Sequence, residues 1–107
     1  MHKSTAACAI SKSVKKRVYE RDKGLCVICG CPGLPEAHVV SRAHLGLGVD
    51  ENIVTLCRPC HDLYDGVKRD EYGERIRNYL RELYPDWDET KLIYKKGGHY
   101  EQTASDR

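Results

Sequence analysis

Two Cys-x-x-Cys pairs, Cys26-Val27-Ile28-Cys29 and Cys57-Arg58-Pro59-Cys60, stand 27 residues apart, and His38, Asn52 and His61 lie between and beside them. These residue types divide into two chemistries. Thiolates at this spacing reach one ion from a tight turn, and zinc takes four such ligands as a tetrahedron. Imidazole, with an ordinary pKa of about 6.5, exchanges protons near neutral pH or ligates a divalent ion. Paired CxxC motifs suit a metal better than ordinary disulfides, and no βαβ pattern supports a thioredoxin-like redox pair. Cys26, Cys29, Cys57 and Cys60 are therefore expected to hold a structural Zn2+. Cys31 has a less typical spacing from Cys26 and is followed by Pro32, and Cys8 lies far upstream; both are expected to be spectators.

Short elements must position these groups. Ser11 or Ser13 can cap a helix running to about Asp22, with Val14 and Val18 one turn apart and Gly24 as its stop. The first knuckle follows at Cys26–Gly30, then turn residues through Pro35. Glu36–Val40 reads as a short strand, Ser41–Asn52 as a glycine-containing loop, and Ile53–Leu56 as a second strand. Pro59 suits the first turn of a helix that carries Cys60, His61, Leu63, Tyr64 and Asp65 and ends near Gly66. His61 and Asp65, four apart, share one face of it. Tyr72, Ile76, Tyr79, Leu80 and Leu83 form an amphipathic stripe on a further helix, from about Glu71 to Tyr84, and Lys91–Lys96 reads as a last strand. Two antiparallel strands joined by a long loop are unstable alone, so the metal must hold them. The expected class is α+β, a small zinc-stapled domain with flanking helices. Residues 11–97 form the domain, with a core over 18–66 and the C-terminal helix over 71–84; residues 1–10 and 98–107 are expected to be flexible tails.

Composition agrees with a stapled fold. A chain of 107 residues is one domain, and at this size only about 60–65% of the unfolded surface is buried. Phe is absent, and the apolar mass comes from Leu, Val, Ile, seven Tyr and one Trp. There is no N-terminal apolar h-region and no run of ~18 apolar residues, so a reducing, cytoplasmic setting away from the membrane is expected. The net charge of +2 says little. Its distribution says more: Lys12, Lys15, Lys16, Arg17, Arg21 and Lys23 oppose only Glu20 and Asp22 ahead of the first CxxC. Such a basic lead-in suits a phosphate backbone, although a solvated helix face has the same composition.

The gap between the pairs exceeds the ~15–20 residues of common four-cysteine zinc modules, and the added length carries His38, a glycine loop and Asn52. With Ala37-His38-Val39-Val40-Ser41-Arg42, then 46–57 ending in Asn52-Ile53-Val54-Thr55-Leu56-Cys57, then Cys60-His61 and Asp65, the chain resembles the HNH endonuclease family, the ββα-metal nucleases. It looks most like their small stand-alone phage and prophage members. The resemblance covers residues 18–66, with a weaker match at Tyr84–Trp87 and Leu92–Lys96. It implies a ββα-metal fold and hydrolysis of DNA by nicking or double-strand cutting. His38 takes the place of the general base, Asn52 of the residue whose amide orients it, and His61 of a ligand to a catalytic Mg2+ or Mn2+, with Ni2+ or Zn2+ as other candidates. Asp65 stands where the family has a second ligand. DNA is the implied partner, and a phage terminase subunit is an expectation drawn from the phage-type members alone.

One departure bears on this. Many members carry Asp or His directly before the base, as a further metal ligand; here that residue is Ala37. Glu36, two residues from His38 on a regular strand, is a candidate substitute, and His44 a weaker one. Arg42 and Arg58 flank the expected site, and with Lys15 and Lys16 they are the expected DNA contacts. The rival reading is a catalytically inactive zinc-stapled module that binds DNA or protein. On that reading His61 could ligate zinc beside Cys60, His38 could be a structural histidine, Asn52 a turn-former and Asp65 a solvated helix end.

Overall fold

The computed structural model describes residues 3–95. Helix α1 spans Lys3–Cys8 and α2 spans Lys12–Arg21. Ser11 caps α2, its hydroxyl accepting from the Val14 N–H at 3.2 Å. The helix ends in a Schellman arrangement: the Lys23 N–H reaches the Glu20 carbonyl and the Gly24 N–H reaches that of Tyr19. Lys23 itself takes the left-handed position, φ 60°, and Gly24 follows at φ 69°, where a Cβ would meet the Tyr19 ring at 2.7 Å.

Strands β1 (Leu34–His38) and β2 (Ile53–Leu56) pair antiparallel, with Ala37 opposite Val54, His38 opposite Ile53 and an irregularity between Leu34 and Ala37. β1 begins and ends two residues before the expected strand. The alternation starts earlier than its polar residues suggest, with Pro35 and Ala37 turned inward and Leu34 and Glu36 outward. Every residue of β2 is buried, because the sheet is covered on both sides. Ile53 packs with Val14 and Val18 of α2. Val54 and Leu56 join Ala37, Val39, Tyr64, Ile76 and Leu80 in the main core. Helices cover on both sides what two strands cannot bury alone.

Helix α3 (Arg58–Asp65) starts directly after β2, with Cys57 at its N-cap and Pro59 in its first turn. Helix α4 (Arg69–Leu83) packs on it, with Ile76 and Leu80 joining Tyr64 in the main core. Of the expected stripe, Ile76 and Leu80 are buried, Tyr72 and Tyr79 half-buried and Leu83 exposed. The expected last strand is instead a 3₁₀ turn at Glu89–Leu92 followed by a single bridge from Ile93 to Gly46. The bridge meets a loop rather than a strand, and no ladder propagates from it among the described residues. Lys96 and the expected tail at 98–107 lie outside the described residues.

The other difference is at the amino terminus. The segment read as a tail is helical over Lys3–Cys8, and Cys8 is 3% exposed. Its place in the fold is the loop beside β1: the Gly48 N–H donates to the Ala7 carbonyl at 3.0 Å. A short polar stretch shows no period of its own, and docking on a glycine leaves no sequence signal.

A buried polar network ties α2 to β2 and α4. The Asp22 carboxylate accepts from Arg21, from the Thr55 N–H and from the Tyr79 hydroxyl. Arg21 also donates to the main-chain carbonyls of Asp50 and Ile53, each at 2.8 Å. Burial opposes the Arg21 charge, but the hydrogen bonds it donates to Asp22 and Tyr84 outweigh it and leave its pKa raised. Burial, then the Asp22 contact, pushes the Tyr79 hydroxyl up to about 12. Among the described residues no helix is long and apolar enough to cross a membrane.

Candidate functional site

The four paired cysteines meet. The sulfurs of Cys26, Cys29, Cys57 and Cys60 all lie within 4.8 Å of one another, and Cys29 and Cys57 are 3.5 Å apart. Tetrahedral Zn–S bonds of about 2.3 Å place sulfurs roughly 3.8 Å apart, so the donor set fits a zinc ion in type, number and spacing. The first knuckle is closed by the Gly30 N–H on the Cys26 carbonyl, with Gly30 at φ 82°. The second is the N-terminal turn of α3, where the His61 N–H donates to the Cys57 carbonyl at 2.9 Å. Cys31 and Cys8 are outside the cluster, as expected, and none of the six cysteines is disulfide-bonded.

The thiols are electrostatically at odds with one another. The Cys31 main-chain N–H and the Cys57 thiol pull Cys29 down to about 6. Burial, followed by its three neighbours, pushes Cys60 up. One thiolate forms readily and its charge opposes the rest, a conflict that a dication removes.

Along the chain from this cluster stand the His, Asn and His. Asn52, fully buried, makes three hydrogen bonds: its Oδ1 accepts from the Val40 N–H at 2.8 Å, and its Nδ2 donates to the carbonyls of Val40 at 3.1 Å and Leu47 at 2.8 Å. It thus ties the end of the β1 segment to the loop that follows. Gly46 makes this approach possible, since a Cβ there would lie 1.7 Å from the Val40 carbonyl oxygen. The loop is held from the other side as well, by the Leu47 N–H on the Leu92 carbonyl at 2.8 Å.

His38 ends β1 half-buried. Its Nε2 lies 3.0 Å from the main-chain oxygen of Cys8. Burial lowers its pKa below the usual 6.5; the Cys8 contact opposes this, and the charges of Arg42 and His61 add to it. His61 and Asp65 share a face of α3, with Nε2 and Oδ2 3.7 Å apart. That is too long for a hydrogen bond and close enough for one cation between them. Among the described residues, the four cysteines are the only group of three or more His, Cys, Asp or Glu donors placed to share an ion.

The remaining candidates are distributed around this site. Ala37 is fully buried in the core. The Glu36 carboxylate lies 3.6 Å from Lys15 on the exposed face of β1, and it joins no donor group with His61 and Asp65. His44 Nδ1 lies 2.8 Å from the Ser41 hydroxyl. Arg42 is exposed, and its charge reaches both His38 and Cys8. Arg58 is exposed and shares its charge with Asp62 at 2.8 Å. Lys16 is exposed on α2. A shallow hollow of about 590 Å³, lined by residues including Arg81, Trp87 and Lys91, lies away from all of these.

Sequence reasoning missed two groups here, the Cys8 carbonyl on His38 and the Tyr64 hydroxyl, which donates to the Val39 carbonyl at 3.1 Å. The first is main chain and carries no residue signature; the second reads as an ordinary core aromatic. Compared with family models, curated protein sequences and solved structures, the chain matches none.

Proposed function

We propose that the protein is an HNH-type DNA endonuclease, a divalent-metal-dependent phosphodiester hydrolase built on a zinc-stapled ββα-metal unit. The observation that carries this reading is Asn52. A wholly buried amide satisfies three main-chain groups at the end of the strand segment that presents His38, as the middle residue of an ordered His–Asn–His set would. The thiolate cluster supports it by placing Cys60, and so His61, at the start of α3.

In this reading His38 takes a proton from the water that attacks phosphorus in line, a role its neutral form suits near pH 7. His61 and Asp65 hold the catalytic ion, which when bound supplies positive charge to the phosphate and the leaving 3′ oxygen. Arg42 meets a neighbouring phosphate, and Arg58, Lys15 and Lys16 extend the footprint along the backbone. Phosphate contacts position a protein without reading sequence, so cutting has little sequence preference. The products, by resemblance, are 5′-phosphate and 3′-hydroxyl ends. A reducing, cytoplasmic setting is the one in which four thiolates stay available to zinc. A terminase subunit as a further partner rests on the resemblance alone.

The second reading, an inactive zinc-stapled binding module, is favoured by the burial of Ala37, which leaves the ion only His61 and Asp65. A plasmid-nicking assay with Mg2+ or Mn2+ separates the two. The wild type cuts, whereas His38→Ala folds, binds zinc and loses about 10²–10⁴-fold in rate. A wild type that shifts DNA in a gel but cuts under no divalent ion refutes the nuclease and leaves the binding module.

A further inference from the structure

The amino-terminal segment closes over the histidine read above as the base. Cys8 is buried, and its carbonyl oxygen stands 3.0 Å from His38 Nε2. A carbonyl only accepts, so the ring nitrogen facing it is the donor. Neutral imidazole carries a single N–H, and the hydrogen bond made by one nitrogen decides the state of the other. We propose that the segment Ala6–Ile10 is a positioning element of the hydrolytic site. The Cys8 carbonyl holds His38 as the Nε2–H tautomer, so Nδ1 keeps the lone pair and is the atom that takes the proton from water. This rests on the reading of His38 as general base.

The segment is placed by an identifiable chain of contacts. Asn52 Nδ2 holds the Leu47 carbonyl at 2.8 Å, and the next residue, Gly48, donates its N–H to the Ala7 carbonyl at 3.0 Å. Gly48 is the point at which the two backbones touch. A Cβ there would lie 2.1 Å from the Ala9 oxygen and 3.1 Å from the Cys8 oxygen, and neither is the end of a flexible side chain. Asn52 therefore orients His38 along two routes: through Val40, next but one in the chain, and through the loop that seats the amino-terminal segment. The first route lies within the ββα unit. The second brings in residues from outside it, and any side chain at position 8 could provide the acceptor.

The test uses the full zinc-loaded chain with ¹⁵N-labelled histidine. Two-bond ¹H–¹⁵N correlation spectra, recorded above the His38 pKa, report which ring nitrogen is protonated. The wild type is expected to show His38 as Nε2–H. Gly48→Val pushes the segment off the loop; it is expected to mix the tautomers and to lower the plasmid-nicking kcat about tenfold or more with KM for DNA little changed. Should that variant fail to fold, replacing Ala9 by its α-hydroxy acid in a semisynthetic chain weakens the Cys8 carbonyl as an acceptor, removes the Ala9 N–H and alters no side chain, and is expected to shift the tautomer in the same direction. A wild type that cuts while His38 is the Nδ1–H tautomer overturns the proposal and leaves the nuclease reading standing. A wild type with the Nε2–H tautomer that cuts under no divalent ion overturns both the nuclease reading and the catalytic meaning of the contact.

Discussion

Replacing Asn52 with alanine tests the physical basis of the site independently of any activity. The amide makes three hydrogen bonds, at 2.8, 3.1 and 2.8 Å, all to main-chain groups and all buried. Each such bond contributes about 1 kcal/mol net, and a buried group left without a partner costs about 1–3 kcal/mol. The Val40 N–H and the carbonyls of Val40 and Leu47 are the groups at risk, and water entering the vacated space recovers part of the loss. The expected destabilisation is about 3–5 kcal/mol, a large share of the ~5–15 kcal/mol that holds a typical domain together. With a urea slope of about 1–1.5 kcal/mol/M, the midpoint of the zinc-loaded protein falls by about 2–5 M. Native-state hydrogen exchange should show the Val40 amide losing protection ahead of Val54 in the core, because the loop is released first. A loss under about 1 kcal/mol, with Val40 still protected, would refute the idea that this side chain fastens the loop to the strand.

Three further outcomes are expected. Cys57→Ser, or chelation of the wild type, should abolish cooperative unfolding and helical circular dichroism, with one zinc bound per folded wild-type chain by metal analysis; structural zinc contributes about 10–16 kcal/mol in small peptides. Gly46→Ala should destabilise by about 3 kcal/mol or more in the same urea titration, because a Cβ there meets the Val40 carbonyl at 1.7 Å and the obstacle is backbone. The acid limb of the nicking rate should inflect below 6.5, since burial, Arg42 and His61 favour neutral His38 and the neutral form is the active one. Arg42→Ala removes a cation that disfavours protonation, so the limb moves to higher pH; a limb that stays in place would show that another group titrates.

The four thiolate donors were legible because their identities carry information at fixed spacing. Two CxxC pairs imply a shared ion, and the four sulfurs meet. Ser11 as a cap, Ile53–Leu56 as a strand and the helix beginning around Pro59 follow from side-chain preferences that act within a few residues. The last strand was misread for the complementary reason. Leu92, Ile93 and Tyr94 have strand-like side chains, but a strand needs a partner ladder, and among the described residues the pairing is the single Gly46–Ile93 bridge.

What the amino-acid order determined by itself was therefore local: the donors, their grouping into knuckles, and the periodic faces of α2 and α4. What only the tertiary structure decided was which main-chain groups meet those side chains. The Asn52 amide reaching Val40 and Leu47, the Ala7–Ala9 backbone lying on Gly48 and the Cys8 carbonyl reaching His38 all join segments far apart in the chain. Every residue carries the same carbonyl and almost every one the same N–H, so nothing in a list of side chains marks which of them will be used.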